Sequence, residues 1–262
     1  MNRFQRSLQS RWRLAIQILP AVALVALAKT VVTELDAESI ELNPLYTGLV
    51  AGNIFLLGFL LAGTLSDYKE SEKLPVELAA SLDSISDELR IIAAGEGAAE
   101  ARAGLEHVAG IVRSTLEWIY GNRSFDQAID RVEGLNQHFR AIEPYTQATY
   151  VNRIKGEQSA SRRMLLRIYS IHETSFVVAG FMVAALTSAL LITVLLFIDV
   201  GSLATDVILL CTLTFMLGYV LLLIRDLDDP FEYGAGGERA GSAEASLDPL
   251  VRLAGRLPQP VD

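Results

Sequence analysis

Four long apolar segments constrain the fold of this chain more than any other feature. A transmembrane helix needs roughly 20 mostly apolar residues, because each residue adds about 1.5 Å along the axis and the hydrocarbon core is about 30 Å thick. Residues 12–33, 44–66, 174–198 and 207–224 meet that length. Hydrophobic residues make up 51% of the chain and charged residues 20%, and the two kinds are segregated along it. The sequence therefore predicts four membrane spans and a separate polar part.

Basic residues near the ends of the spans predict the orientation, since Lys and Arg are retained on the cytoplasmic side. The connections at residues 34–43 and 199–206 contain neither Lys nor Arg. Basic residues precede the first and third spans and follow the second and fourth, among them Arg3, Arg6, Lys69, Lys73, Arg162, Arg163, Arg167 and Arg225. We therefore expect a multi-pass protein of the cell inner (plasma) membrane with both termini in the cytoplasm.

The region between the second and third spans has the pattern of a helical cytosolic insert. Apolar residues recur at helical spacing over 78–92, 105–119 and 129–142, with charged residues between them. The predicted fold class is an all-α integral membrane protein with four transmembrane helices and this long helical insert. The predicted parts are 1–66 (N-terminal tail and first two spans), 67–173 (insert), 174–233 (last two spans and a Pro-Phe segment) and 234–262 (a mostly disordered tail).

Charge and motifs argue against several classes of function. The net charge of -9 provides no general basic surface for nucleic-acid phosphates. The three histidines are scattered without metal-ligand spacing, and the chain has no phosphate-binding loop, nucleophile elbow or cysteine pair. We expect no enzymatic activity, no nucleic-acid partner and no cofactor.

An acidic group just inside the fourth span is a candidate cation site. The sequence RDLDDPFEY, residues 225–233, offers carboxylate oxygens of the kind that a hard cation such as Ca²⁺ prefers. The alternative is a solvated helix end followed by a turn at Pro230, because the ligand spacing and glycine of a known calcium loop are missing. Both interpretations stay open for Asp226, Asp228, Asp229 and Glu232.

Three polar side chains within or beside the spans are candidates for a specific role. Lys29 either faces protein or water within the membrane, as intramembrane polar groups usually do, or lies close enough to the outer surface for its stem to follow apolar surface while the ammonium reaches water. Asn53 is expected to face protein or water, as polar groups inside membranes usually do. His172 borders the third span and either senses pH or hydrogen-bonds to lipid headgroups.

The second span combines an apolar run with an abrupt charged stretch, GNIFLLGFLLAGTLSDYKESEKLP, at residues 52–75. Helical spacing places Gly48, Ala51 or Gly52, Phe55 and Phe59 on one stripe. Small residues permit close helix approach, so packing within the bundle of one chain would explain the stripe. A second interpretation is that the rings line a path through the membrane.

The second span resembles the pore-helix region of the bestrophins, in which a Phe-x-x-Gly-Phe-like segment precedes a charged stretch and a Leu-Pro pair. The order of elements is also similar: two spans, a helical cytosolic insert, two more spans and a Pro-Phe pair, here Pro230-Phe231. The chain is most similar to the bacterial bestrophin-like membrane proteins of unassigned function. In animal bestrophins the calcium-binding acids follow the Pro-Phe pair, whereas here the main acidic group precedes it.

The resemblance implies a homopentamer whose second spans surround a central pore. Carried over by position, Ala51, Phe55 and Phe59 form a hydrophobic neck. The charges that follow, Asp67, Glu70 and Glu72, would repeat around a cytoplasmic vestibule and concentrate cations there. The expected function is a bestrophin-like oligomeric ion channel of undetermined ion selectivity, with the lipid bilayer and small inorganic ions as partners. The alternative is a non-conducting membrane scaffold or sensor whose cytosolic helices bind a partner.

Overall fold

The computed structural model describes residues 3–173, 178–238 and 243–258 and is helical over most of them. In chain order the elements are α1 (Arg3–Glu34), β1 (Ile40–Glu41), α2 (Pro44–Ser71), α3 (Leu74–Ala93), α4 (Ala98–Ile119), α5 (Phe125–Ile142), a 3₁₀ turn (Glu143–Tyr145), α6 (Ala148–Glu173), α7 (Val178–Leu196), β2 (Ile198–Asp199), α8 (Leu203–Asp228) and α9 (Asp248–Arg256). The chain divides into two compact units. The predicted all-α membrane fold is confirmed.

The first unit comprises Met1–Ser66 and Ser175–Asp228 and contains the membrane helices. Four helices of the described chain are long and apolar enough to cross a membrane. Within this unit α1 packs along α8 and α7 against α8. Helix α1 approaches α8 closely at Gly218, where an added Cβ would overlap the side chain of Ile18 and force it to move.

A two-residue parallel pairing of β1 with β2 lies in the same unit and joins the two non-basic connections. Ile40 is opposite Ile198, and Glu41 is opposite Asp199. This pairing brings the connection that follows α1 next to the connection that follows α7. The period-2 pattern that predicts strands needs runs of four to eight residues, so a pairing of this length left no signal in the sequence.

The second unit comprises Asp67–Thr174 and Asp229–Asp262 and is a helical bundle. The three amphipathic runs predicted from the sequence are α3, α4 and α5, and their apolar stripes meet in one core with α6. Leu82, Val108 and Phe139 are fully buried there. Each such side chain contributes about 1.5–3 kcal/mol on burial. Pro75 is in the first turn of α3. Backbone N–H groups in the first turn make no hydrogen bond within the helix, so the absence of one in proline costs nothing there.

The structure differs from the predicted disordered tail over residues 243–258. Helix α9 packs into the core of the second unit, and Leu250 and Leu253 on one face are fully buried. The backbone N–H of Ala245 also donates a hydrogen bond of 2.8 Å to the carbonyl of Pro230. Residues 229–233 therefore group with the insert, whereas the sequence placed them with the last two spans.

Candidate functional site: the second membrane helix and its ends

The membrane helix α2 has one face packed in the protein and one face open. The buried face carries Asn53, Leu57, Leu60 and Thr64, spaced four, three and four residues apart. Phe55 and Phe59 lie on the open face with exposed fractions of 78% and 66%. Helix geometry accounts for this separation, because residues two apart are about 200° around the axis.

The three predicted neck residues share the open face. Ala51 is exposed like the two phenylalanines that follow it, one and two turns further along α2. The packing alternative, in which both rings fill the interior of one chain, does not match this exposure. The open face is instead available to lipid, to a second protomer or to a water-filled path.

The rotation of α2 is set by a polar contact with α7. The amide nitrogen of Asn53 donates to the hydroxyl of Ser188 at 2.8 Å, and its carbonyl oxygen accepts from the hydroxyl of Thr187 at 2.6 Å. Both groups would cost free energy if left unpaired in an apolar environment. Asn53 thus faces protein, one of the two environments expected for it, and holds Phe55 and Phe59 on the opposite side of the helix.

An arginine from α6 pairs with the charged end of α2. Arg167 donates from Nε to one carboxylate oxygen of Glu70 at 2.8 Å and from Nη2 to the other at 2.6 Å. Its Nη2 also lies 3.4 Å from Asp67 Oδ1. Glu72, the third acid proposed for the vestibule, accepts a hydrogen bond of 3.3 Å from the hydroxyl of Tyr68. Two of the three predicted vestibule acids are therefore bound to a cationic side chain that the sequence left unassigned to them.

Lys29 does not extend into water, so the interpretation in which its ammonium reaches the outer surface is wrong and the one in which it faces protein agrees with the structure. Its side chain is fully buried. The ammonium donates to the carbonyl of Ile198 at 2.7 Å and lies 2.7 Å from Glu38 Oε1 and 3.3 Å from Asp206 Oδ2. The hydrogen bonds from Lys29 and Thr33 lower the pKa of Glu38 below its ordinary value. Because these partners are supplied by α8 and by the connections around β1 and β2, helical spacing in α1 alone could not reveal them.

The carboxylates of Glu38, Asp199 and Asp206 form a group in which one oxygen of each lies within 4.8 Å of the others. Such a group has the geometry of a cation site. The ammonium of Lys29 is already in contact with two of its three members. It thus supplies positive charge from within the chain.

The acidic group near Pro230 is distributed over both units. Asp226 and Asp228 belong to the first unit, whereas Asp229 and Glu232 belong to the second. The carboxylate of Asp229 accepts a 3.1 Å hydrogen bond from the backbone N–H of Phe231. This contact matches the turn predicted at Pro230. A cation at these four acids stays a prediction.

His172 contacts protein groups of the second unit. Its Nδ1–H donates to the carboxylate of Asp229 at 3.1 Å, and its ring meets Trp118 edge-on at 6.0 Å between centroids. The hydrogen bond to Asp229 raises the pKa of His172, although burial opposes the change. The structure thus gives Nδ1 a carboxylate partner within the chain.

The His172–Asp229 pair predicts a pH-dependent contribution to stability. A raised pKa means that the stabilisation is fully present below the unfolded value of about 6.5 and is lost as pH rises through the folded value. We expect His172→Asn to remove this part of the pH dependence of the thermal midpoint, which begins above about pH 6.5. His138→Asn is the control, because burial lowers the pKa of His138, so its contribution to stability changes with pH in the opposite direction. An unchanged pH profile in His172→Asn would contradict the pairing.

The helices, their packing and the open face of α2 define an all-α membrane protein with a long helical insert. Solved structures with the same fold include two point mutants of a bacterial bestrophin homologue from Klebsiella pneumoniae. One has a TM-score of 0.76 and 15% identity over 92% of this chain and 97% of that chain. The other has a TM-score of 0.75 and 13% identity over 93% of this chain and 98% of that chain.

A further structure, described as that of a membrane protein, has a TM-score of 0.74 and 15% identity over 92% of this chain and 98% of that chain. No family model matches the sequence, and no curated protein sequence does either. At these identities the likeness establishes the fold. The chain therefore has a bestrophin-like fold, and the resemblance recognised from the second span is confirmed at that level.

Proposed function

We propose that the protein is a bestrophin-like oligomeric ion channel in which α2 lines the ion path. The observation that carries the proposal is the open face of α2, where Phe55 and Phe59 stand one turn apart with most of their surface exposed. That face is available to lipid, to a second protomer or to a water-filled path, and the resemblance of the second span to the bestrophin pore helix favours the path. Here the polar contact at Asn53 turns the rings outward.

Oligomerisation follows from the number of spans. Four helices are too few to enclose a water-filled path within one chain, so symmetry-related copies must surround it. Repeating one helix around an axis places the same side chain at the same height in every copy. The resemblance favours five copies in the plasma membrane with both termini in the cytoplasm, and mass measurement in mild detergent tests that number.

The proposed neck acts by excluding water. Rings of Phe55 and Phe59 around an axis form a narrow apolar constriction, and such constrictions gate channels by dewetting. Ala51, one turn before Phe55, has a small side chain, so its level of the path is wider. In this arrangement the two phenylalanine levels limit the passage of a hydrated ion.

Reconstitution of the purified protein in planar bilayers tests the proposal. We expect discrete current steps that respond to substitution of the permeant ion. Membranes that receive detergent extract without the protein provide the baseline. A correctly assembled oligomer that carries no current under voltages of either sign would refute the channel and favour the scaffold or sensor.

A further inference from the structure

We propose that Arg167 sets the charge selectivity of the ion path by neutralising the acidic end of α2. The inference rests on the proposed channel function and deepens it. It concerns Asp67, Glu70 and Glu72, the acids predicted from the sequence to lie in a vestibule that concentrates cations. The structure adds to them a positive charge from α6, 97 residues away in the sequence from Glu70.

The contact with Glu70 is a two-point ion pair. Both carboxylate oxygens accept from Arg167, at 2.8 and 2.6 Å, and Asp67 lies 3.4 Å from the same guanidinium. A planar guanidinium matches a carboxylate in this way, whereas a lysine ammonium acts as a point charge. Arg167 is therefore held at the acids by geometry as well as by charge.

The charge at this end of α2 is balanced. The stretch 67–73 contains three acids, Asp67, Glu70 and Glu72, and two bases, Lys69 and Lys73, so it carries -3 + 2 = -1. Arg167 brings the sum to zero. Without it, every protomer would present one uncompensated negative charge, and an oligomer would present one for each copy.

These charges are accessible to solvent ions. The side chains of Arg167 and Glu70 are 42% and 43% exposed, and that of Asp67 is 36% exposed. Their field therefore reaches water and is screened by salt over about 10 Å at 0.1 M ionic strength. A balanced group attracts neither sign of ion strongly. The permeant class that follows is small monovalent ions of both signs, with weak discrimination between them.

The test is the reversal potential under a KCl gradient for the wild type and three variants. We expect Arg167→Gln to shift the ratio of K⁺ to Cl⁻ permeability towards K⁺ by about two- to fivefold, as one unit charge at contact range in water would. Glu70→Gln, which leaves the arginine uncompensated, should shift it towards Cl⁻. The double variant R167Q/E70Q keeps the net charge of the wild type and should return the permeability ratio to the wild-type value.

A matched control comes from another ion pair in the same unit. Arg256 of α9 pairs with Asp83 of α3 at 2.9 Å and is also exposed. Arg256→Gln removes the same charge away from α2 and should leave the reversal potential unchanged. Raising the salt on both sides should shrink the R167Q and E70Q shifts, because screening weakens them.

The outcomes separate this inference from the channel proposal. Wild-type protein that carries no current refutes the channel itself. Current with reversal potentials that are equal in the wild type, R167Q and E70Q refutes the role of Arg167 and leaves the channel intact. If R167Q does not assemble, E70Q decides alone, since it tests the same balance with the opposite sign.

Discussion

Replacing Phe55 and Phe59 together by alanine is expected to raise single-channel conductance or to leave the channel constitutively open. Each substitution removes a large apolar ring from the proposed constriction and lowers the barrier to a hydrated ion. Both rings are exposed in the protomer, so the change leaves little new cavity inside it. Single-channel recording in planar bilayers measures the effect, and thermal unfolding in detergent checks that the protein remains folded.

A matched double variant on another membrane helix separates the neck from general loss of apolar surface. Leu186 and Leu190 of α7 are also one turn apart, and their exposed fractions are 71% and 63%. Leu186→Ala with Leu190→Ala should leave the conductance unchanged. If F55A/F59A loses assembly without any gain in current, the rings pack between protomers. That result would contradict the neck, because truncating a ring in a well-packed interface costs about 3–5 kcal/mol and opens no path.

Replacing Lys29 by methionine is expected to destabilise the membrane unit by about 3–5 kcal/mol, the usual cost of removing one partner from a buried ion pair. Methionine keeps much of the length of the side chain and removes only its charge and donors. Glu38 and Asp206 would then lose the ammonium that contacts both. The thermal midpoint of the protein in detergent measures the loss.

Two further variants test whether the loss of stability in K29M comes from the loss of charge. In K29M/D206N the carboxylate of Asp206, which K29M leaves without its cation, is replaced by a neutral amide. The double variant should therefore be more stable than K29M alone. A double-mutant cycle gives the coupling free energy between Lys29 and Asp206. Lys155→Met removes an exposed lysine from α6. Surface substitutions of this kind change the free energy of unfolding by no more than about 0.5 kcal/mol. Equal midpoints for K29M and K155M would contradict the buried cluster.

Much of the architecture is predictable because the signals are local. Apolar runs of spanning length predicted the four membrane helices, and the 3.6-residue period predicted α3, α4 and α5 with the correct buried stripes. The positions of Ala51, Phe55 and Phe59 on one face of α2 also follow from helical spacing. Each of these predictions depends on residues close together in the sequence, because the spacing of two residues in a helix fixes the angle between their side chains around the axis.

The direction in which that face points was decided by tertiary structure. The stripe of small residues and rings fits packing inside one chain as well as exposure. The hydrogen bonds of Asn53 with Thr187 and Ser188, more than 130 residues away, set the rotation of α2. Periodicity shows that a helix has two faces, but only the position of its partner helix determines which of them is buried.

The charged pairs and the order of the tail could not be predicted from the sequence, because they too depend on contacts between distant segments. Lys29 meets Asp206 only after α1 and α8 pack together, and Arg167 reaches Glu70 across 97 positions of sequence. Helix α9 has nine residues, too few for a stable isolated helix in water. Its leucines are ordered by burial in the core of the insert. The sequence by itself determined which long segments are helical and which of their faces are apolar, because both follow from local spacing. Only the folded chain decided which charges are compensated and which short segment is ordered, since those free energies come from groups far apart in the sequence.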